Sequence, residues 1–391
     1  MKIAFICRHY NKTGGISRHV AEIAERFAKN NEVHVFTASW QDVGNPEVVF
    51  HKIPILTFGF LKKWKKYAWN NVFEVGSFML NSSSRINYHN FDIVHSQGDY
   101  IGEFDIYTAH SCHRAWLDII RNRELNLIEK AKKSYFNPLH LLVLQIEEHS
   151  VKRAKKIISV SLAVKREIVK YYHIPEEKIS VIPNGVDIEK FNPENKKIFR
   201  KKIRDKHDIK EEDIVLIFPA HEFKRKGLFQ IIEAFKILKK DNLHLLVIGR
   251  DDPAPFFKLV CNSGLKNKII FTGEITGIEM YYAASDILIF PTSYEPFGLV
   301  ILEAMASGIP VIVSQEAGAA ELIRDEINGI VLKNNEDSEK LVKEIRFIVN
   351  NSKKFKEIGE EARKTAENYS WDNIASKTFS LYEEILKEKR R

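Results

Sequence analysis

The chain has 391 residues, of which 44% are hydrophobic and 29% charged. That length exceeds one ordinary domain and suits two of roughly 150–200 residues, and the composition excludes a mainly disordered chain. Sixty Lys and Arg against 52 Asp and Glu leave a formal charge of +8, which suits anionic ligands such as sugar diphosphates or acidic lipid surfaces; no basic stripe carries a nucleic-acid reading motif, so nucleic acid is not an expected partner.

In chain order, residues 3–7 form a short apolar run ending at Arg8, which reads as a buried parallel strand and is too short for a signal peptide. A polar loop with Gly14-Gly15 follows. Next comes a helix with Val20, Ile23, Ala24, Phe27 and Ala28 on one face, then a strand at 33–37. Strand, glycine loop, helix, strand is one βαβ unit, and such units wind into parallel sheets. Strands are expected at 92–95 and 105–108, a helix at 141–155, a strand at 156–160, a helix over 161–171 capped by Ser161, and a strand at 179–182 ending on Pro183-Asn184-Gly185. The polar, aperiodic stretch 192–197 reads as the interdomain linker, dividing the chain into domains 1–190 and 191–371. A second series then gives strands at 214–219, 244–249, 268–272, 287–291 and 310–314, with helices at 227–240, 278–284 and 299–306. From Ser338 onward the chain is helical and charged.

Cys7, Cys112 and Cys261 stand far apart, in no CxxC pair, which argues for a reducing compartment and against a zinc ribbon. No run of about 20 apolar residues offers a membrane span. A cytoplasmic protein is expected, with a place at the inner face of the cell membrane. The reason for that place is the segment 58–69, where aromatics interleave with four lysines. Such a composition suits peripheral contact with an anionic membrane; an ordinary amphipathic helix with solvated lysines is the plain alternative.

The most informative segment runs from Ser293 to Pro310. Glu295 and Glu303 are separated by seven residues, with Pro296-Phe297-Gly298 between them. Glu295 follows a strand's carboxyl end, the edge where open α/β sheets bind ligands. The turn at Phe297, Gly298 and Leu299 starts a helix, whose first N–H groups are open to an anion or to sugar hydroxyls. Glu303, just over one turn in, can accept both hydroxyls of a ribose diol. Lys224-Arg225-Lys226-Gly227 sets three cations beside a helix start after strand 214–219, an arrangement that invites a diphosphate. Gly15 permits close backbone approach to a phosphate, with Arg18 one turn on. His110, after a short strand, can bond a sugar hydroxyl. His110-Ser111-Cys112-His113 is too tightly spaced for a tetrahedral metal set, so no metal site is expected.

At these residues the chain resembles the large family of retaining glycosyltransferases with the GT-B architecture, fourth in the usual numbering. The resemblance is carried by Gly14-Gly15-Ile16-Ser17-Arg18, Val181-Ile182-Pro183-Asn184-Gly185-Val186-Asp187, Lys226-Gly227 and the segment 295–303. Segments 36–40 and 223–227 are similar to the lipopolysaccharide-core glucosyltransferase branch. The resemblance implies an α/β fold of two Rossmann-like doubly wound domains facing across a cleft, with the last helix, 372–391, packed back on the first. It implies that Gly15, Arg225, Lys226 and the backbone of Phe297, Gly298 and Leu299 meet a donor's diphosphate and sugar. Glu295 would contact the transferred sugar, Glu303 the ribose, and the backbone near Ile275 the base. It further implies a nucleotide-diphosphate sugar such as UDP-glucose as donor, with no metal or other cofactor, and a cell-envelope glycan, glycolipid or oligosaccharide as acceptor. Two departures bear on this. Pro219-Ala220-His221 stands where many members carry a glycine-arginine pair, which assigns the phosphate arginine to Arg225. His110 stands where the glucosyltransferase branch tends to carry aspartate. A nucleotide-sugar 2-epimerase and a non-catalytic sugar-nucleotide-binding protein are the alternative readings.

Overall fold

A computed structural model gives the fold and describes residues 1–57, 67–121, 137–238 and 242–390. The chain divides into two compact units, Met1–Asn184 with Trp371–Arg391, and Gly185–Ser370.

The first unit begins with β1 (Lys2–Ile6), β2 (His9–Tyr10), α1 (Gly15–Ala28), β3 (Glu32–Thr37), β4 (Ser39–Trp40) and β5 (Val49–Lys52). It continues with α2 (Tyr67–Arg85), β6 (Ile93–Ser96), β7 (Ile106–Ala109), α3 (His113–Arg121) and α4 (Pro138–Arg153). β8 (Lys156–Ser159), α5 (Leu162–Tyr172) and β9 (Ile179–Val181) follow. The apolar runs become strands because a parallel strand covered on both faces needs side chains that tolerate burial on each; β6 and β7 are buried throughout. The sheet order is β5-β3-β1-β6-β7-β8-β9, every neighbouring pair parallel. β2 and β4 form a separate parallel ribbon. From β1 the chain builds outward through β3 and β5, then returns to the other side of β1 with β6. That reversal is a topological switch point, with its crevice beyond the carboxyl ends of β1 and β6.

The second unit repeats the plan. It holds α6 (Asn195–Lys206), β10 (Ile214–Pro219), α7 (Phe223–Lys226), α8 (Leu228–Leu238), β11 (Leu243–Ile248), α9 (Ala254–Asn262) and β12 (Ile269–Gly273). Then come α10 (Ile278–Ala284), β13 (Ile287–Phe290), α11 (Leu299–Ala306), β14 (Val311–Ser314), β15 (Ile330–Leu332), α12 (Ser338–Val349) and α13 (Ser352–Glu367). The order β12-β11-β10-β13-β14-β15 is again all parallel, with the switch point between β10 and β13.

The chain then returns to the first unit as α14 (Trp371–Lys389), which packs on α1. Trp371 is buried, Tyr382 sits edge-on to Phe27 at 5.4 Å, and Asp372 accepts from Arg26 Nε at 2.7 Å.

The structure corrects the linker. The chain leaves the first unit after Asn184, not after 190, and 192–197 already runs into α6. Residues after Asn184 belong to the second unit because Val186 N donates to Tyr369 O at 2.9 Å and the Phe191 ring packs against Tyr282 at 5.7 Å. Polarity misled here: α6 carries few apolar residues because Arg204, itself buried, anchors it through Asp286 at 2.7 Å and several backbone carbonyls. The expected helix over 227–240 is also corrected. Gly227, at φ +90°, ends α7 and separates it from α8.

Candidate active site

Two loops meet at the second unit's switch point, one from the end of β10 and one from the end of β13. The first turns sharply at Glu222, which is left-handed at φ 59°, into the single turn α7. Phe223 anchors that turn in the core beside Phe218 and Phe256, and its N–H donates to Asp251 Oδ2 at 2.7 Å. Gly227 closes it. A Cβ at Gly227 would lie 2.2 Å from the Pro291 carbonyl oxygen, so only glycine lets the two loops approach this closely. The Arg225 carbonyl accepts from Ser293 N at 3.0 Å and from Ser293 Oγ at 2.9 Å, stitching the loops together.

Lys226 is thereby carried to Glu295. It is 5% exposed, its ammonium forms an ion pair with Glu295 Oε2, and it lies 5.1 Å from the centre of the Phe290 ring. Burial, reinforced by the Arg225 guanidinium, pushes the Lys226 pKa well below the ordinary lysine value, against the upward pull of Glu222. The carboxylate contact opposes that loss of charge. The Arg225 side chain fastens the loops as well: its guanidinium bonds Glu222 and the Tyr294 carbonyl.

Glu295 is held from its backbone. Its N–H donates to Glu316 O at 3.0 Å, and its carbonyl accepts from Gly318 N at 2.8 Å. Ala319 N donates to Phe297 O at 2.7 Å. Gly298, at φ +98°, then opens α11 with no side-chain cap, so Leu299 begins a helix whose first N–H groups lack intrahelical partners. Glu303 lies on α11 and is 5% exposed; its Oε2 is 3.0 Å from the Tyr282 hydroxyl. Lys226, Arg225, Glu295, Phe297, Gly298, Leu299 and Glu303 therefore belong to one pair of adjoining loops and the helix that follows. Ile275 does not. It sits beyond β12, two strands from β10, in a recess of about 580 Å³ lined also by Lys206, Thr272 and Tyr281.

Gly15 and His110 lie in the first unit. Gly15 opens α1, and a Cβ there would meet no described heavy atom within 4 Å, so the fold leaves room at this glycine. The loop before it is organised by Asn11 Oδ1, which accepts from Gly14 N at 2.9 Å and from Ser17 Oγ at 3.0 Å. His110 follows β7, and its Nε2 is 2.8 Å from Gln97 Oε1. Its ring stands edge-on to His19 at 5.1 Å. Burial, then the neighbouring His19 and His95, pushes the His110 pKa well below the usual imidazole value, so the ring is neutral near pH 7.

Both halves of the chain match family models. Residues 13–190 match Glycosyltransferase Family 4, and residues 199–365 match Glycosyl transferases group 1. The chain belongs to these group 1, family 4 glycosyltransferases. It is similar over 98% of its length to 98% of an uncharacterised glycosyltransferase of Methanocaldococcus jannaschii, at 27% identity. It is 23% identical to the lipopolysaccharide glucosyltransferase WaaG of Escherichia coli, over 97% of this chain and 98% of that one. A crystal structure of WaaG covers 97% of the chain with a TM-score of 0.79 at 22% identity, and 99% of WaaG is matched. Anabaena HepE in complex with UDP-glucose matches 97% of this chain and 99% of its own, with a TM-score of 0.70 at 19% identity. These structural likenesses place the glycosyltransferase in the two-unit, parallel-sheet GT-B fold.

Several residues that shape this candidate site carry no signal in the sequence. Phe290 under Lys226, Asp251 holding α7, and Tyr282 at Glu303 carry no motif; each is brought in by strand order. His113 pairs with His140 at 3.1 Å. Among the described residues, no group of three or more His, Cys, Asp and Glu is arranged to hold a metal ion.

Proposed function

We propose that this glycosyltransferase moves a hexose, with retention of configuration and without a metal, from a nucleotide-diphosphate sugar to a cell-envelope glycan, glycolipid or oligosaccharide. The observation that carries the donor reading is the buried Lys226 ammonium at the carboxyl edge of the β10–β13 switch point. A buried cation there suits the negative charge that grows on a leaving diphosphate. Arg225 and the first N–H groups of α11, at Phe297, Gly298 and Leu299, add to that field. Glu295 takes hydroxyls of the transferred sugar, Glu303 those of the ribose, and the backbone at Ile275 the base. Gly15 is proposed to meet a phosphate and His110 a sugar hydroxyl. The sugar–phosphate bond breaks through an oxocarbenium-like centre, the acceptor oxygen bonds to the anomeric carbon on the same face, and a leaving-phosphate oxygen takes the acceptor's proton. HepE in complex with UDP-glucose supports UDP-glucose or a near relative as donor. WaaG, a lipopolysaccharide glucosyltransferase, supports an envelope acceptor.

Among the described residues no helix is long and apolar enough to cross a membrane. Segment 58–69, the expected membrane contact, lies almost wholly outside the described residues; contact with an anionic inner leaflet remains part of the proposal on its lysines and aromatics.

A panel of UDP-, GDP- and ADP-sugars tests the donor. A true donor at a hundredfold its Kd stabilises the protein by about 2.7 kcal/mol and raises its melting temperature; a panel without any shift contradicts the reading. Transfer should continue undiminished in excess EDTA, and a strict requirement for a divalent ion contradicts the metal-free scheme.

A further inference from the structure

The first unit has a switch point of its own, and a second polar cluster stands there. Gln97 follows β6 directly, and its backbone N–H continues the ladder to Ile6 O at 3.0 Å. His110 follows β7 directly. His19 reaches the cluster from α1. Gln97 is 7% exposed and His19 is 1% exposed.

The bonding fixes which atoms are already used. An amide oxygen can only accept, so at 2.8 Å from Gln97 Oε1 the His110 Nε2 carries the proton. That turns the Gln97 Nε2 amide group the other way, where it is buried with no hydrogen-bond partner among the described residues. His19 Nδ1 lies 2.9 Å from Asn184 Oδ1, another acceptor, so Nδ1 carries the proton and Nε2 is a bare lone pair. It too is buried without a partner among the described residues. One cluster thus holds an unmet donor and an unmet acceptor, and buried polar groups left this way lose the free energy that water would have supplied.

We infer that Gln97 and His19 form a recognition site for a sugar hydroxyl, which accepts from Gln97 Nε2 and donates to His19 Nε2. A hydroxyl fills both roles with one atom. An ionised carboxylate or phosphodiester has no proton to donate to His19 Nε2 and would leave that lone pair unmet. The histidines are neutral as well: burial pushes His19 down to about 4 and His95 and His110 well below the usual value. The ligand is therefore an uncharged polyol face. The inference rests on the glycosyltransferase reading, which leaves two sources for the hydroxyl, the transferred sugar or the acceptor.

The test compares wild type with Gln97→Met, which keeps the length and removes the donor. UDP and UDP-glucose are titrated calorimetrically, and transfer is followed against an acceptor-saccharide panel. Unchanged UDP affinity with roughly tenfold weaker UDP-glucose binding assigns the site to the transferred sugar. Unchanged binding of both with an acceptor KM raised about tenfold assigns it to the acceptor. A variant equal to wild type in binding and transfer overturns the inference, the cluster then holding water only. Wild-type protein that binds neither nucleotide fails the donor reading first, and this inference with it.

Discussion

Lys226 illustrates how this fold holds charge. Its ammonium is almost fully buried, which penalises the ionised form, and the Glu295 carboxylate and the face of Phe290 oppose that penalty. His19 shows the opposite solution: burial holds it neutral, with a pKa pushed down to about 4. A histidine whose folded pKa lies below its unfolded value of about 6.5 leaves the unfolded chain binding more protons. Its contribution to stability is therefore complete above pH 6.5 and is lost as pH falls from there toward 4. By linkage the loss amounts to about 3 kcal/mol across that window. Urea unfolding at pH 7, 6, 5 and 4.5 should show a shallower pH slope in His19→Asn than in wild type; equal slopes contradict the assignment. None of this was legible from composition. His19, His95 and His110 come together only once the strand order is known.

At the scale of elements, the reading from sequence was at its best where apolar runs are unbroken. β10, α10 and α11 have the expected bounds, and Ser161 caps α5 by accepting from Val164 N at 3.2 Å. It failed where an element is held by something other than its apolar face. α6 hangs on the buried Arg204–Asp286 pair, and β15 has only three residues. The Glu295–Glu303 segment was readable because its residues are close in sequence. The approach of Lys226 to Glu295 was expected only through the family resemblance, since it depends on the β10–β13 neighbourhood and on Gly227. Gly227→Ala forces an alanine to φ +90° with its Cβ 2.2 Å from Pro291 O. It should destabilise the second unit by about 3 kcal/mol or more and weaken UDP-sugar binding by displacing Lys226. A wild-type urea midpoint in that variant contradicts this view of the turn.

At the scale of the whole molecule, the two units share a plan and differ in what completes them. The first depends on α14, which supplies buried Trp371, Ile374, Leu381, Tyr382 and Ile385. Each such side chain contributes about 1.5–3 kcal/mol, so together they rival the roughly 5–15 kcal/mol that separates a folded domain from its unfolded chain. Tyr382 also bonds His95 Nδ1 at 2.6 Å. A chain ending at residue 370 should lose the first unit's cooperative calorimetric transition, and an unchanged thermogram contradicts that dependence. That the last helix returns to the first unit was expected from family resemblance; its own sequence, charged and amphipathic, does not say which unit receives it.

The proposed function turns on one arrangement, in which buried Lys226 stabilises a departing diphosphate while its partner Glu295 holds the transferred sugar. Steady-state turnover of the donor by Lys226→Ala and Glu295→Ala, each with a native circular-dichroism spectrum, tests it most directly. Each variant should show kcat lower by ~10²–10³; turnover near wild type in a folded Lys226→Ala protein contradicts this role for the lysine.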